Sequence, residues 1–337
     1  MKKNVTLKDI AERIGVSAVT VSKALTNKEG VSDDVRKKIK ETADDMGYKY
    51  GNTLAAGGQS GIVGVIGSSR FMNEVKDTFY LKMYRYLVQV LLRFSYYSIL
   101  EIVSPESENE QVLPNLLEDK KVDGVIVLGQ FRTEYISMLM ENCSNMVLLD
   151  FYDENCNADA IISDSVYGSY RATNYLIKNG HKKIAFLGSR FSTHSIMDRY
   201  IGYYKALLEA GLELRDEWVI EDRAKETGEY IPFVFPAKEN MPTAFVCSCD
   251  QVCYLLIESL EKMGYRVPED ISVVGYDNFT YAGIPALKLT TVEVDMEAMT
   301  EQAADLIIKK IKGEKHFCGM RIVESKLIIR ESVKNLN

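Results

Sequence analysis

Apolar residues recur every three or four positions through the first fifty residues, in three short runs separated by glycine and serine. Leu7, Ile10, Ala11 and Ile14 share one helical face. Thr6-Leu7-Lys8-Asp9 can cap its start, with the Thr6 side chain accepting an amide and Asp9 in the favourable first turn. Gly15 stops the helix in a position that tolerates the left-handed conformation. Ser17 caps a second helix with Val21, Ala24 and Leu25 inward. A third begins at Ser32-Asp33-Asp34, runs through Val35, Ile39, Ala43 and Met46, and ends at Gly47. Three short helices, the first two joined by a tight glycine turn, predict a helix-turn-helix unit.

From Ile62 the pattern changes to short apolar runs alternating with amphipathic ones. "IVGVIG", Ile99–Val103, "DGVIVLG", "NMVLLDF", "KKIAFLG", "TAFVC" and "ISVVGYD" predict strands; "YLKMYRYLVQVLLRFS", "YIGYYKALLEAGL" and "MEAMTEQAADLIIKKIKG" are among the helices between and after them. This alternation predicts parallel sheets with helices on both faces. There are too many such units for one standard sheet, so two doubly wound lobes are expected. Their ligand would sit at the carboxyl ends of strands, across a cleft. The stretch from Tyr48 to Gly61 holds four glycines around a possible helix of only Thr53–Ala56, too short to be helical by itself.

Composition adds boundaries. The chain has 337 residues, 46% hydrophobic and 26% charged, enough for two or three globular domains. No apolar run is long enough to span a bilayer, and the opening Met-Lys-Lys-Asn-Val-Thr leads into charge, so no membrane partner is expected. Six scattered cysteines (143, 156, 247, 249, 253 and 318) suit free thiols in a reducing cytoplasm. The net charge of −7 is uneven: residues 1–50 hold 11 Lys and Arg against 8 Asp and Glu, a balance of +3 on an otherwise acidic chain. A mildly basic head suits contact with a polyanion.

The second helix gives that head a chemistry. A helix entering the major groove must be slim, donate to phosphate oxygens, and leave a few side chains free for base edges. Ser17, Thr20 and Ser22 are short donors suited to the backbone. Ala18 and Val19 can touch thymine methyl groups, and Lys23 can reach a guanine edge or a phosphate. The competing explanation is a solvent-facing cap helix in a small bundle.

The whole of "TLKDIAERIGVSAVTVSKALTNKEGVSDDVRKKIKETADDMGY" closely resembles the DNA-binding headpiece of the LacI/GalR family of bacterial transcriptional regulators. The resemblance implies base reading by Ala18, Val19 and Lys23, and phosphate contacts that include Thr6, Ser17, Thr20, Ser22 and Asn27. Lys23 stands where the family usually has arginine, so a bidentate fork to guanine is lost. Tyr50 replaces the family's hinge proline, and Leu54 is the only candidate for the leucine that wedges the minor groove. The resemblance continues through Val122–Ile126, Asn179–Phe186, Asp198–Tyr203 and Val267–Asp277 into a core that looks like a periplasmic sugar-binding protein. It implies that Arg199 and Asp277 line the cleft, that Asp250 sits after a strand beside it, and that Ser68, Ser69 and Phe71 belong to a first-lobe loop. Phe79, Tyr80, Phe151 and Tyr281 are further aromatic candidates, each as readily explained by packing.

The expected organisation is therefore a headpiece over 1–50, an atypical glycine-rich linker over 51–61, and a two-lobed effector-binding and dimerisation domain over 62–337. Cys247-Ser248-Cys249 with Cys253 could suggest a metal, but the spacing is wrong and no histidine is near in sequence, so packing is preferred. No phosphate loop, dinucleotide fingerprint or catalytic constellation can be assembled, so neither cofactor nor enzyme activity is expected. The expected function is that of a homodimeric regulator, usually a repressor, whose partners are a pseudo-palindromic operator DNA and a small-molecule effector, by default a carbohydrate. The alternative is a small-molecule receptor whose head works chiefly in protein–protein contact.

Overall fold

The computed structural model describes residues 5–25, 30–46, 60–72, 79–119, 121–224, 228–279 and 288–337. The chain forms two compact units, Met1–Ile62 with Lys121–Asp123, and the remainder.

In the first unit α1 (Leu7–Ile14), α2 (Ala18–Leu25) and α3 (Asp33–Asp45) surround Ile10, Val21, Ala24, Ile39 and Ala43. Thr6 closes a capping box: its amide donates to Asp9 Oδ2 at 2.7 Å, and the Asp9 amide returns a bond to Thr6 Oγ1 at 3.4 Å. Gly15 ends α1 with φ +79°, in the left-handed region. Ser17 Oγ accepts the Thr20 amide at 3.0 Å, which satisfies one of the unpaired amides at the start of α2. At the other end of α2 the Arg36 guanidinium donates to the carbonyls of Lys23 and Ala24 and to that of Val31, each at 3.3 Å. A cation at a helix carboxyl end favours the dipole, so α3 fixes where α2 stops. Asp123 accepts the amides of Ser60 at 2.5 Å and Gly61 at 2.7 Å.

The second unit is built on two six-stranded sheets. The first carries β1 (Ile62–Ser68), β2 (Tyr97–Val103), β3 (Gly124–Leu128), β4 (Met146–Leu149), β5 (Asp159–Ser163) and, near the carboxyl terminus, β11 (Met320–Val323), in the order β11-β5-β4-β3-β1-β2. Around it lie α4 (Phe79–Arg93), α5 (Pro105–Asn109), α6 (Asn115–Glu118), α7 (Thr133–Asn142) and, from late in the chain, α11 (Met296–Ile311). The second sheet carries β6 (Ile184–Leu187), β7 (Val219–Ile220), β8 (Ala244–Cys247), β9 (Ser272–Asp277), β10 (Thr290–Glu293) and β12 (Lys326–Ile328), in the order β12-β10-β9-β8-β6-β7. It is accompanied by α8 (Ser165–Lys178), α9 (His194–Glu209) and α10 (Asp250–Lys262).

Strands β11, β5, β4, β3 and β1 run parallel to their neighbours, as do β7, β6, β8, β9 and β10; β12 returns antiparallel to β10. Apart from β7 and β11 at the sheet edges, the parallel strands are buried almost throughout, as strands covered on both faces require. The chain passes between sheets three times, from β5 into α8, from β10 into α11, and from β11 into β12. Two parallel α/β lobes sharing three crossings leave a cleft between the carboxyl ends of their strands, the place where such sheets bind ligands.

Candidate functional site

Helix α2 presents Val19 at 65% exposure, the most exposed large apolar side chain among the described residues of the head. Thr6, Ser17 and Lys23 are also exposed, and Ala18, Thr20 and Ser22 half-buried, so none of these seven residues is sequestered in the head's core. Ser17 Oγ and Thr20 Oγ1 share a hydrogen bond of 2.8 Å, which holds both hydroxyls at the same end of the helix. A short helix whose outward face is hydroxyl, valine and lysine, with Val21, Ala24 and Leu25 inward, fits groove entry better than solvent. Asn27 and Leu54 lie outside the described residues, as does Tyr281.

In the larger unit the polar residues converge at strand ends. Asp150 follows β4, Ser189 follows β6 closely, Asp222 and Arg223 follow β7, Ser248 follows β8, and Asp277 closes β9. Arg199 enters from α9, 6% exposed. Its guanidinium lies 3.9 Å from the centre of the Tyr276 ring, donates to the Ser248 carbonyl at 2.5 Å, and pairs with Asp277 at 3.3 Å. Its Nε has no hydrogen-bond partner among the described residues. Asp277 and Asp150 take positive φ of +105° and +68°, conformations that non-glycine residues adopt where surrounding structure enforces them. Burial pushes the Asp277 carboxyl up to about 7, with Arg199 pulling the other way. Burial also raises Asp150, against the charge of Arg199 and the hydroxyl of Tyr80, which donates at 2.8 Å.

Beside this pair sits a second one. Arg223 lies over the Tyr230 ring at 4.9 Å and forks onto Asp222, at 2.7 Å through one nitrogen. Asp222, fully buried, also accepts the Ser189 amide at 2.8 Å and the Ser248 hydroxyl at 3.0 Å. Burial alone would raise this carboxyl, yet the charge and hydrogen bonds of Arg223 hold it below the usual carboxylate range. Aromatic rings stand across the opening: Phe71 against Tyr80 at 5.8 Å, Tyr80 against Phe79 at 5.3 Å, and Phe79 against Phe279 of the other lobe at 6.1 Å. At one side the lobes touch through polar groups. The His194 amide donates to Gln130 at 2.7 Å, Tyr152 donates to Asp198 at 3.3 Å, and the Tyr152 and His194 rings stack at 4.7 Å.

Arg199 and Asp277 thus stand side by side at the strand ends, both buried. Phe71 is half-buried within the aromatic wall. Ser69 is half-buried nearby in sequence, while Ser68 is buried and its hydroxyl accepts from the Arg70 amide and side chain, each at 3.4 Å. Asp250 is engaged within its own lobe. It accepts Thr291 Oγ1 at 2.6 Å and the Phe279 amide at 2.9 Å, fixing the turn that follows Asp277. A Cβ at Gly275 would run into this carboxylate, which explains the glycine. Asp150, Asp222 and Arg223 were not anticipated. Asp150 ends the apolar run "NMVLLD", a weak signal that could have been used; Asp222-Arg223 follow a strand of two residues, too short to signal anything.

A three-helix reading head and a two-lobed binding body define a ligand-responsive DNA-binding regulator. Residues 6–50 match the bacterial regulatory proteins of the lacI family, and residues 173–333 match the periplasmic binding protein-like domain. The chain belongs to the lacI family. It is 29% identical to the HTH-type transcriptional repressor PurR of Vibrio campbellii (strain ATCC BAA-1116) over 335 residues, 98% of this chain and 99% of the relative. A second relative of that name, from Glaesserella parasuis serovar 5 (strain SH0165), is also 29% identical, with the same coverage. The fold matches the lac repressor dimer bound to operator and the anti-inducer ONPF, with TM-score 0.70 and 23% identity. It also matches a CelR–cellobiose complex, with TM-score 0.69 and 23% identity; both alignments cover 98% of this chain and all of the other. No described helix is long and apolar enough to cross a membrane.

Proposed function

We propose that the protein is a cytoplasmic repressor that binds a pseudo-palindromic operator as a homodimer and is controlled by a carbohydrate held between its lobes. The function is one of binding rather than catalysis, in keeping with relatives that are transcriptional repressors. Ser17, Thr20 and Ser22 position α2 on phosphates, Ala18 and Val19 meet thymine methyl groups, and Lys23 reaches a base edge or phosphate. Thr6 supports α1 at the backbone, with Asn27 and Leu54 completing the contact. The division of labour follows the chain, with reading over 1–50, a linker over 51–61, and sensing and pairing over 62–337.

The observation that carries the effector class is a buried arginine, Arg199, and a half-buried one, Arg223, beside three carboxylates, at the carboxyl ends of strands and flanked by rings. Such a set offers donors and acceptors in several directions, which is what a polyhydroxylated ligand requires, with an aromatic face against its apolar side. Solved relatives of the same fold hold cellobiose and ribose. Arg199 and Asp277 are the central contacts, with Phe71, Ser68 and Ser69 on the first-lobe side and Asp250 bracing the turn behind Asp277.

Footprinting of the full-length protein on its own upstream region, with and without a panel of mono- and oligosaccharides, tests both halves. The expected result is a protected pair of symmetric half-sites whose occupancy changes with one member of the panel. Protection of no genomic fragment at low ionic strength would overturn the DNA half, and operator binding unmoved by any sugar would overturn the effector class.

A further inference from the structure

Far from the strand ends that form the cleft contacts, three different metal-binding groups meet at the edge of the first sheet. Asp159 begins β5, His316 and Cys318 lie in the connector between α11 and β11, and one ligand atom from each falls within 4.8 Å of the others. We propose that Asp159, His316 and Cys318 form a site for a zinc-class divalent metal ion.

The local chain explains the convergence. His316 and Cys318 are two positions apart, and in extended chain residues at that spacing point to the same side. Gly319 then turns the backbone at φ +115°, and its amide binds Asp159 Oδ1 at 2.7 Å, which ties the connector to β5. His316 Nδ1 lies 3.0 Å from the Glu314 carbonyl, which can only accept, so Nδ1 donates there and Nε2 is the nitrogen turned towards the carboxylate. This is how metal-binding histidines are commonly oriented, the second ring nitrogen held by a carbonyl or carboxylate. Nε2 stands 3.6 Å from Asp159 Oδ2. Bonds of about 2.0–2.1 Å to zinc, at a tetrahedral angle, place such ligand atoms about 3.4 Å apart. Cys318 is exposed, and a rotation of its side chain brings the sulfur to the third corner, leaving the fourth for water.

The ligand set selects the metal. One thiolate, one neutral imidazole and one carboxylate carry two negative charges and mix soft with borderline donors, which suits zinc and not magnesium or calcium. Lys310 now holds Asp159 Oδ2 at 2.5 Å, so the metal competes with an ammonium for one oxygen. Bound there, it would fasten the edge strand β11 to β5, whose far end leads directly into the second lobe.

The test uses the untagged full-length protein, stripped with chelator and titrated with zinc against a chromophoric competitor, then with cobalt. The expected result is one zinc per chain, with a thiolate-to-cobalt charge-transfer band. Affinity should fall at least about tenfold in both Cys318→Ser and His316→Ala, the band vanishing in the former. Lys310→Met, which removes the competing cation, should bind zinc more tightly. Cys143→Ser, with circular dichroism of every variant, serves as the control for fold and for other thiols. Absence of zinc uptake, uptake unchanged in either ligand variant, or no tightening in Lys310→Met would overturn the assignment.

Discussion

Arg199 has one nitrogen on the Ser248 carbonyl, one on Asp277, and Nε without a partner among the described residues, so it retains a donor for a ligand. A hydrogen bond to a charged group contributes about 1.5–3 kcal/mol, which is about tenfold to a hundredfold in affinity. Arg199→Ala is therefore expected to lose at least that much effector affinity, seen by calorimetry, while a gel shift without effector still detects operator binding. Asp277 gives a pH signature. Its folded value of about 7 lies above the value near 3.9 of an unfolded aspartate, so the folded chain holds the proton more tightly. The stability this supplies is complete below about pH 4 and is lost as pH rises through 7. Asp277→Asn should flatten the decline of Tm between pH 5 and 8. Some slope should remain, because burial also raises Asp150 and Asp250. Arg199 and Asp277 are singled out by the sequence because each lies in a run resembling a known family. Asp150, Asp222 and Arg223 are not: their roles depend on which strand ends the fold brings together, and no local spacing encodes that.

Helices α8 and α9 approach each other closely because of Gly202. A Cβ there would collide with the Val166 carbonyl and crowd the Tyr170 amide, both backbone atoms of α8 that cannot swing aside. Overpacking of this kind costs about 1–3 kcal/mol, so Gly202→Ala should lower Tm by about 2–4 °C per kcal/mol in a thermal melt. It should also disturb Arg199, one turn earlier on α9, and weaken effector binding without altering the operator sequence selected. Elements of this length were readable in advance: α1, α2, α3, α4, α9 and α11 fall where apolar spacing predicts them. Strands β1, β3, β4, β6, β8 and β9 were also legible as buried apolar runs. By contrast β5, β7, β10, β11 and β12, none of which carries four apolar residues in a row, are not signalled by the sequence. A strand without its own apolar run is defined by its neighbours, and β11 and β12 pair with strands more than thirty residues away. For the same reason the Asp159, His316 and Cys318 cluster could not be found by spacing, since β5 and β11 must first be paired.

For the whole molecule, the contacts between lobes beside the cleft set the terms on which a ligand can act. Gln130 and Tyr152 of the first lobe hold His194 and Asp198 of the second, and Tyr152, His194 and Asp198 line a pocket with Asp150, so the lobes meet at the border of the site itself. An effector moves such an equilibrium only by its difference in affinity for the two lobe arrangements. If the arrangement with these contacts made is the one that binds effector, removing the His194 ring lowers the competent population, and apparent affinity falls in the same proportion. His194→Ala should therefore weaken effector binding by up to about tenfold, with the contacts of Arg199 and Asp277 untouched. Linkage adds a stricter condition: the factor by which effector changes operator affinity must equal the factor by which operator changes effector affinity. Calorimetry of effector binding, with and without a saturating operator duplex, gives one factor, and gel shifts with and without effector give the other. Equal factors in the wild type, and equal factors again in His194→Ala, are the expected outcome. A variant that loses effector affinity with no change in operator affinity in the absence of effector would place the lobe contacts outside the coupling. Conversely, if both shift together, the small polar seam at the cleft's edge sets the balance between the two arrangements that the reading heads report.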